Sequence, residues 1–491
     1  MNEVDVAIVG AGFAGIAMAM RLRREGRTSF VVVERATDVG GTWRDNVYPG
    51  IACDVPSHLY CFADHPNPAW SRMYAGGEEI QSYLREVVAA EGLRDYILLE
   101  TPMLSAAYEE GRWTLELGGG TPRHLRAASV VLACGRLSEP RVPLIDGFET
   151  FTGQIFHSAR WDPDVSVDGA KVAVVGAGAS AVQLAPELAR RGADVILFQR
   201  TPAWIVPRGD RAYTEEERSG FAASPSRVER IRQSMFLEGE AQFPSRAGDA
   251  VAAATARQIA IRHLRDQVPD ARLRRILTPE YGFGCKRVLL SDDFYPSLVS
   301  GAVTLVPSAL AKIVNGSLVA RDGSQHRADI IVLATGFETT RQPYAWLIKG
   351  ASGRLLAEHW SEGMTAFAST LVAGFPDLYI VNGPNASLGH NSAVLMIEEQ
   401  TEFVVRCLAV RERVEGSSIR VRHEDEKAYA DDVARLAAGT SWMVGGCRSW
   451  YVDDRSGRLT LLWPGTVHMF RERLARVDLA SLTHVPAEGY A

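Results

Sequence analysis

The amino-acid sequence predicts an α/β fold with two nested dinucleotide-binding domains and a helical insertion. Two stretches support this prediction, because each runs from a short β-branched strand through a glycine-rich turn into an alanine-rich helix. A third stretch, roughly residues 205–280, carries apolar residues at helical spacing and predicts the insertion. The length of 491 residues is enough for two or three domains.

The first stretch is DVAIVGAGFAGIAMAMRLRREG, and SFVVVER follows it. In its G-x-G-x-x-G pattern, Gly10 allows a tight turn, Gly12 lets the backbone approach a pyrophosphate, and Gly15 lets the helix pack closely. The helix N-terminus then offers free N–H groups to the phosphates. The second strand ends at Glu34, whose carboxylate can bind the two ribose hydroxyls and would repel a 2′-phosphate. The pattern therefore predicts a Rossmann-like site for an adenine dinucleotide that lacks a 2′-phosphate.

The second stretch, VAVVGAGASA at residues 172–181, repeats this pattern. The residues of its turn that we expect to face a coenzyme are Gly176, Gly178 and Ser180. Arg200 stands as far beyond this turn as Glu34 stands beyond the first one, so the two sites differ in the sign of their charge. An arginine at this position can pair with a 2′-phosphate, which predicts NADPH as the second dinucleotide. The alternative interpretation of Arg200 is an ordinary solvent-exposed arginine at a strand end.

Two later apolar runs, SVVLACGR and DIIVLATGF, are typical of buried parallel strands beside a nucleotide. They indicate that the chain leaves the first domain, forms the second and returns to the first. The predicted segments are 1–140 for the first part of the first domain, 141–170 for an inter-domain linker, 171–335 for the second domain with its insertion, and 336–491 for the remainder of the first domain and the C-terminal segment.

The composition excludes several classes of function. A net charge of −6 provides no basic surface for nucleic acid. No apolar run reaches the roughly 18 to 20 residues of a membrane span, and the apolar N-terminal run follows acidic rather than basic residues, unlike a signal peptide. The six cysteines show neither C-x-x-C nor metal-ligand spacing. We therefore expect reduced thiols, no bound metal and a cytoplasmic location.

The linker contains FTGQIFHSARWD, which matches the pattern F-x-G-x-x-x-H-x-x-x-W-D. This segment resembles the fingerprint of type I Baeyer–Villiger monooxygenases, which are class B flavoproteins. The matching residues are Phe151, Gly153, His157, Trp161 and Asp162. The resemblance implies that His157 and Trp161 couple the positions of the two domains, whereas a packed linker histidine is the alternative. The sibling flavin-containing monooxygenases that oxidise nitrogen and sulfur usually carry another residue in place of this tryptophan.

Three further segments are similar to the same family, and the similarity covers nearly the whole chain. The segments are GGTWRDNVYPGIACDVPSHLY with Thr42, Trp43, Asp54 and Tyr60, FGCKR with Lys286 and Arg287, and RSWYVDD with Trp450. TSWM, with Trp442, is a competing match for the last segment. The sequence after Trp450 lacks the A-N-x-P-G-K pattern of many enzymes that act on cyclic ketones, which leaves the class of ketone open.

The resemblance implies that FAD and NADPH bind to the first and second domains. The sequence has no metal-ligand set, nucleophile elbow or paired carboxylates, so the cofactor must supply the difficult chemistry. By resemblance, reduced FAD traps O2 as a peroxide on C4a, and this peroxide converts a small-molecule ketone to an ester or lactone. Arg287 would keep the peroxide anionic, and Asp54 would orient Arg287. Lys286 would join Arg200 and Thr201 around the 2′-phosphate.

Other interpretations remain open from the sequence. Asp54 could cap a turn, and Lys286 with Arg287 could be a solvent-exposed basic pair. A flavin-containing monooxygenase that oxygenates sulfides or amines would use a neutral hydroperoxide and would not need Arg287. A flavin-dependent disulfide reductase has the same paired domains but needs a redox cysteine pair, which the spacing of the cysteines does not indicate. A nucleotide-binding sensor would need neither the lysine–arginine element nor an oxygen site.

Overall fold

The computed structural model describes residues 3–120, 123–414 and 416–484. The outer ends of the first and last predicted segments, residues 1–2 and 485–491, lie outside the described residues. Within the described ranges, no helix is both long enough and apolar enough to cross a membrane.

The strands in chain order are β1 (Glu3–Val9), β2 (Phe30–Val33), β3 (Ile97–Leu98), β4 (Met103–Glu109), β5 (Arg112–Leu117), β6 (Arg123–Leu132), β7 (Gln154–His157), β8 (Lys171–Val175), β9 (Asp194–Phe198), β10 (Ile205–Val206), β11 (Leu289–Leu290), β12 (Val303–Val306), β13 (Leu310–Val314), β14 (Ser317–Ala320), β15 (Gln325–Arg327), β16 (Ile330–Leu333), β17 (Ile348–Lys349), β18 (Leu378–Ile380), β19 (Ser418–Ile419) and β20 (Thr483–His484). The α-helices are α1 (Phe13–Arg24), α2 (Thr42–Asp45), α3 (Gly77–Ala90), α4 (Ala179–Arg190), α5 (Glu215–Ala223), α6 (Pro225–Glu240), α7 (Ala250–Gln267), α8 (Ala271–Leu277), α9 (Phe294–Val299), α10 (Leu356–His359), α11 (Ala393–Arg411), α12 (His423–Ala437), α13 (Ser441–Val444) and α14 (Val467–Ala475).

The first large sheet has eight strands in the order β17-β4-β5-β6-β1-β2-β3, with β18 also paired to β6. Strand β1 pairs in parallel with β2 and β6, as a dinucleotide-binding sheet requires. Strands β17 and β18 come from the part of the chain that follows the second sheet. The predicted α/β fold and its nested arrangement are therefore confirmed.

The second large sheet has five parallel strands in the order β12-β9-β8-β16-β7. The sequence predicted an inter-domain linker at residues 141–170, and β7 within this segment is an edge strand of the second sheet. Of its four side chains, only His157 is buried. Because most of β7 is exposed or only partly buried, it has no long apolar run that would reveal a strand in the sequence.

The central strands of the first sheet are apolar on both faces, and each face packs against a separate buried cluster. Ala7 in β1 and Val130 in β6 have no exposed surface. Helix α1 packs against β1 and against α11, and every residue from Phe13 to Met20 is buried. This packing fixes the glycine-rich turn between β1 and α1 at the carboxyl edge of the sheet, where dinucleotides bind.

Helices α5 to α8 lie between β10 and β11 and form the predicted helical insertion. The end of α6 contacts the C-terminal part of the chain, because the Glu240 carboxylate accepts hydrogen bonds from the Val467 N–H at 3.0 Å and from Asn391 Nδ2 at 2.9 Å. The turn after α6 carries Arg246, whose Cγ would lie 3.3 Å from a β-carbon at Gly284. The insertion therefore places Arg246 against the turn that carries the predicted catalytic arginine.

Candidate active site

A cavity of about 390 Å³ lies at the carboxyl ends of β1, β2 and β6. The predicted residues that line it are Gly10, Gly12, Glu34, Thr42, Trp43 and Tyr60. Gly10 has φ +106°, and a β-carbon there would lie 2.6 Å from the Ala133 carbonyl oxygen. A β-carbon at Gly15 would lie 1.8 Å from the Gly10 carbonyl oxygen, so only glycine permits this contact between turn and helix. The first glycine pattern thus forms one wall of the cavity.

Glu34 lies at the edge of this cavity and is 5% exposed. Its carboxylate accepts hydrogen bonds from the Ala11 N–H at 2.8 Å and the Ala36 N–H at 3.0 Å. The Arg44 guanidinium lies 3.0 Å from the same carboxylate. A carboxylate has about four acceptor positions, so these contacts fix its orientation and leave capacity for a ribose hydroxyl.

Two aromatic side chains form a second wall of the cavity. Trp43 Nε1 donates to the Tyr60 hydroxyl at 3.2 Å, and the ring of Phe13 lies 5.0 Å from that of Tyr60. Burial raises the pKa of Tyr60, so its hydroxyl stays protonated. Helix α2 carries Thr42 and Trp43, which line the cavity, and its start lies beside the glycine turn, because the Gly40 N–H donates to the Ala11 carbonyl at 3.0 Å.

The second glycine pattern has the same geometry at the edge of the second sheet. A β-carbon at Gly176 would lie 2.2 Å from the Ala334 carbonyl oxygen, and α4 begins directly after Gly178 without a side-chain cap. Ser180 lies in the first turn of α4. The free N–H groups of this turn can therefore face a pyrophosphate.

Arg200 and Lys286 lie near each other beyond the second glycine turn. Burial lowers the pKa of Lys286, and the charge of Arg200 lowers it further. The Lys286 Nζ also lies 4.9 Å from the centre of the Tyr281 ring. In the described part of the chain, neither Arg200 nor Lys286 has a carboxylate within 4.0 Å. Thr201, the third predicted residue of this site, directly follows Arg200 in sequence. Two neighbouring cations without a carboxylate suit a phosphate group.

Asp54 and Arg287, although 233 residues apart in sequence, form a bidentate ion pair. Arg287 Nε lies 2.6 Å from one carboxylate oxygen of Asp54, and a terminal nitrogen lies 2.7 Å from the other. Burial alone would raise the pKa of Asp54, but the charge and hydrogen bonds of Arg287 outweigh it and lower that pKa. The charge of Asp54 likewise raises the pKa of Arg287, so the guanidinium is always protonated. The Arg287 side chain keeps 29% of its surface accessible for contact with a reactant.

Tyr451 is a neighbour of Arg287 that the sequence analysis did not identify. It is 1% exposed and lies buried beside the Arg287 guanidinium. Burial raises the pKa of Tyr451, and the adjacent charge of Arg287 opposes that shift. The residue directly follows the predicted Trp450, which is the signal that points to it in the sequence.

Arg136 and Arg246 were not predicted, and the electrostatics of both involve Arg287 and Tyr451. Arg136 donates to Asn382 Oδ1 at 2.5 Å, while Arg246 donates to the Gln242 carbonyl at 3.1 Å and to a serine hydroxyl. Burial lowers the pKa of each to about 10, and the charge of Arg287 contributes to both shifts. Arg136 ends the buried run SVVLACGR at the edge where ligands bind, so its position could have been inferred, whereas nothing in the sequence marks Arg246.

The structure separates the two tryptophans that compete for the late tryptophan segment. Trp442 is 2% exposed and belongs to the core, where its ring lies 3.0 Å from the position of a β-carbon at Gly389. Trp450 is partly exposed, and its ring centre lies 4.2 Å from that of Tyr451. This arrangement favours Trp450 as the residue near the coenzyme.

The linker fingerprint lies on β7 and the turn after it. His157 is 4% exposed, its Nδ1 accepts from the Ala159 N–H at 3.1 Å, and burial lowers its pKa to about 4. Trp161 packs edge-on against Phe156 with ring centres 5.1 Å apart. Of the remaining members, Phe151 packs against the second sheet. A β-carbon at Gly153 would lie 2.1 Å from the Asp329 carbonyl oxygen. The Asp162 carboxylate accepts a hydrogen bond from the Asp164 N–H at 3.0 Å. These contacts place the fingerprint against the second sheet, and its coupling role stays a prediction.

The expectation that all cysteines are reduced is wrong for Cys285 and Cys447. These residues form a disulfide with a Cα–Cα distance of 6.2 Å and a sequence separation of 162 residues. Such a separation leaves no local spacing pattern, which explains why the sequence did not indicate it. The bond joins the turn of Lys286 and Arg287 to the segment of Trp450 and Tyr451.

Comparisons with known proteins agree with this geometry. Residues 3–345 match the family model described as flavin-binding monooxygenase-like. A Baeyer–Villiger monooxygenase of Streptomyces coelicolor is 44% identical over 98% of this chain and 92% of its own length. A protein of the same description from Pseudomonas aeruginosa is 39% identical over 99% of this chain and 92% of its own length. The solved structure of cyclohexanone monooxygenase from Rhodococcus sp. Phi1 bound to NADP+ is 27% identical, with a TM-score of 0.86 over 98% of this chain and 99% of that one.

The disulfide predicts a specific number of reactive thiols. We expect four of the six cysteines to react with a thiol reagent in the denatured, unreduced protein, and all six after reduction, because Cys285 and Cys447 are joined. Mass spectrometry after alkylation at the moment of cell lysis measures this number. A Cys447→Ser variant serves as the control, since it should show all of its cysteines reactive before reduction. Six alkylated cysteines in the unreduced wild-type protein would contradict the disulfide.

Proposed function

Because the chain belongs to the flavin-binding monooxygenase-like family and aligns along its length with Baeyer–Villiger monooxygenases, we propose that it converts a ketone to an ester or lactone with NADPH, O2 and bound FAD. The observation that carries this proposal is the bidentate pair of Asp54 and Arg287. Attack on a ketone requires an anionic oxygen nucleophile, and a permanently charged guanidinium stabilises that anion. Oxygenation of sulfides or amines would not require such a cation.

The first cavity fits FAD. It lies at the start of α1, its turn contains Gly10 and Gly15, at which a β-carbon would intrude, and a buried carboxylate stands at the ribose position. Gly10, Gly12 and Gly15 would hold the pyrophosphate, while Trp43 and Tyr60 would contact the remainder of the cofactor. When bound, FAD accepts the hydride and activates dioxygen, a chemistry that no side chain can supply.

The second site fits NADPH for a different reason. Arg200, Thr201 and Lys286 surround the position that the fingerprint gives to a 2′-phosphate, and the two cations lack an acidic partner in the described chain. Gly176, Gly178 and Ser180 would face the pyrophosphate at the start of α4. Trp450 would lie beside the nicotinamide half of the coenzyme.

Within the reaction, Arg287 and Asp54 would have separate roles. Arg287 would contact the reacting oxygen atoms and stabilise the negative charge that develops there. Asp54 would hold the guanidinium in one orientation by its two hydrogen bonds and reduce the net charge of the pair. Tyr451 is buried beside Arg287 and would limit the access of water to it.

The predicted domain limits form part of the proposal. Strands from residues 3–132 and from residues 348–380 share the first sheet, which supports an FAD-binding domain in two parts, 1–140 and 336–491. The five parallel strands of the second sheet support an NADP-binding domain at 171–335, to which β7 from the segment 141–170 adds an edge. Because the reaction consumes NADPH, we propose that the protein acts in the cytoplasm.

Arg287→Ala should abolish ester formation while hydride transfer from NADPH continues. Reduction depends on the nucleotide sites, whereas oxygenation depends on the cation, and loss of one preorganised charge typically lowers the rate by roughly 10² to 10³. Stopped-flow absorbance of the flavin measures the first step, and gas chromatography measures the ester. Asp54→Ala should have a smaller effect, because it misplaces the guanidinium without removing it.

The exposed pair Arg211 and Glu217 provides the control for Arg287, and Arg211→Ala should leave both steps unchanged. In the Arg287→Ala variant, oxidation of NADPH should yield hydrogen peroxide instead of the ester. Ester formation by Arg287→Ala at nearly the wild-type rate would refute the role of Arg287 and favour oxygenation of sulfides or amines.

Arg200→Ala should reduce the preference for NADPH over NADH by about one to two decades. One charge-assisted hydrogen bond to the 2′-phosphate contributes roughly 1.5 to 3 kcal/mol. The ratio of kcat/KM for the two coenzymes measures the change, and Arg191→Ala, at an exposed arginine paired with Glu187, is the control. Equal use of both coenzymes by the wild-type protein would show that the second site is assigned wrongly.

A further inference from the structure

We propose that Asn382 binds the flavin ring of FAD through its side-chain amide, and that Arg136 and Ser387 hold the amide in the orientation that this contact requires. The sequence analysis identified none of these three residues. Their role rests on the proposed function, which places FAD in the first cavity, and it adds to that function a group that tunes the reduction of the cofactor.

Asn382 lies where the flavin half of FAD should be. At the carboxyl edge of the first sheet, the strands follow one another in the order β2-β1-β6-β18. Glu34 follows β2 at the ribose position, and the glycine turn for the pyrophosphate follows β1. A dinucleotide that continues in the same direction reaches β6 and β18 with its second half. Asn382 stands just after β18 and lines the first cavity, on the side of the pyrophosphate opposite Glu34.

Two donors fix the orientation of the Asn382 amide. Arg136 donates to Asn382 Oδ1 at 2.5 Å, and the Ser387 hydroxyl donates to the same oxygen at 2.9 Å. A guanidinium has no acceptor, so the amide atom that faces it must be the oxygen. The amide nitrogen Nδ2 therefore points away from Arg136.

The Asn382 Nδ2 is the atom that can reach a ligand. Within the described residues it donates to no protein acceptor, and it is not sealed in the interior. The side chain is partly exposed, and the space that it borders is the first cavity. An amide NH2 group carries two donors, and the flavin ring offers carbonyl oxygens and ring nitrogens that accept.

The backbone of Asn382 is also held in place. Its φ is +59°, a region that asparagine adopts more readily than most residues. Its N–H donates to Gln400 Oε1 at 2.8 Å, and Gln400 is fully buried on α11 and donates to the Ile380 carbonyl at 3.1 Å. Backbone and side chain are thus both fixed, so the donor is oriented before the cofactor binds.

Arg136 adds a positive charge to this wall of the cavity. Its two neighbours in sequence, Gly135 and Leu137, line the cavity, and within the described residues it has no carboxylate within 4.0 Å. Reduction adds negative charge to the flavin ring, so a donor polarised by a guanidinium binds the reduced ring more tightly than the oxidised one. Asn382 and Arg136 would therefore raise the reduction potential of bound FAD and favour hydride transfer from NADPH.

The experiment measures the midpoint potential of bound FAD without oxygen, NADPH or a ketone. Asn382→Asp keeps an oxygen for Arg136 and Ser387 but replaces the Nδ2 donor with a second carboxylate oxygen, so a purely structural role would survive this change. We expect the potential to fall by about 30 to 60 mV, which corresponds to a roughly 10- to 100-fold loss of preference for the reduced form. The control is Asn315→Asp, at an exposed asparagine with positive φ between β13 and β14, and it should leave the potential unchanged.

A second pair of variants tests Arg136 as a positioning residue. Arg136→Met removes both the donor and the charge, and we expect the potential to fall by about 30 mV, a roughly 10-fold change. Arg136→Lys keeps a charged donor and should stay close to the wild-type protein. If Asn382→Asp does not fold, this comparison decides the question, and equal potentials of the two Arg136 variants would overturn the proposal.

The outcomes separate the role of Asn382 from the proposed function. Equal potentials of the wild-type protein and Asn382→Asp, with FAD bound to both, would overturn the contact with the flavin and leave the proposed function intact. A lowered potential in Asn382→Asp, although the wild-type protein forms no ester or lactone from any ketone, would count against the proposed function and support the contact.

Discussion

The ion pair of Asp54 and Arg287 is the interaction on which the candidate active site depends. Asp54 belongs to the segment after α2, beside the first sheet, whereas Arg287 lies just before β11, in the part of the chain that carries the second sheet. Their two short hydrogen bonds compensate for the removal of both charges from water. The Arg287 side chain is 29% exposed and that of Asp54 26%, so loss of one partner would leave the other charge partly buried and without its ion-pair partner. The pair therefore links Arg287, the proposed catalytic cation, to the relative position of the two sheets.

Two hydrogen bonds and a disulfide support the same junction. Gln183, on α4 of the second domain, donates to the Ala52 carbonyl at 3.0 Å, two residues before Asp54. Arg208 donates to the Cys53 carbonyl at 2.9 Å. The disulfide of Cys285 and Cys447 holds the turn of Arg287 against the C-terminal segment. Arg287 is thus connected to the first domain, the second domain and the C-terminal segment, so a shift of any of them would alter its position.

The sequence predicted the features that depend on local patterns. The glycine turns, Glu34 and Arg200 could be identified because strand, turn, helix and terminal charge follow one another at fixed spacing. Lys286, Arg287 and Asp54 could be named through the family resemblance, but their contact across 233 residues is visible only in the structure. Features without a local pattern were missed. The edge strand β7 has no long apolar run, the disulfide spans 162 residues, and Arg246 stands in an ordinary polar turn between two helices.

We propose that a permanently charged Arg287 directs activated oxygen to a ketone. A competition experiment tests this role: the FAD-loaded protein receives NADPH, isotopically labelled dioxygen, and equal amounts of a thioether and of a ketone that the protein converts when no thioether is present. We expect the ester or lactone to contain one labelled oxygen atom and the thioether to be converted much more slowly. Label that appears in the sulfoxide with none in an ester or lactone would contradict it.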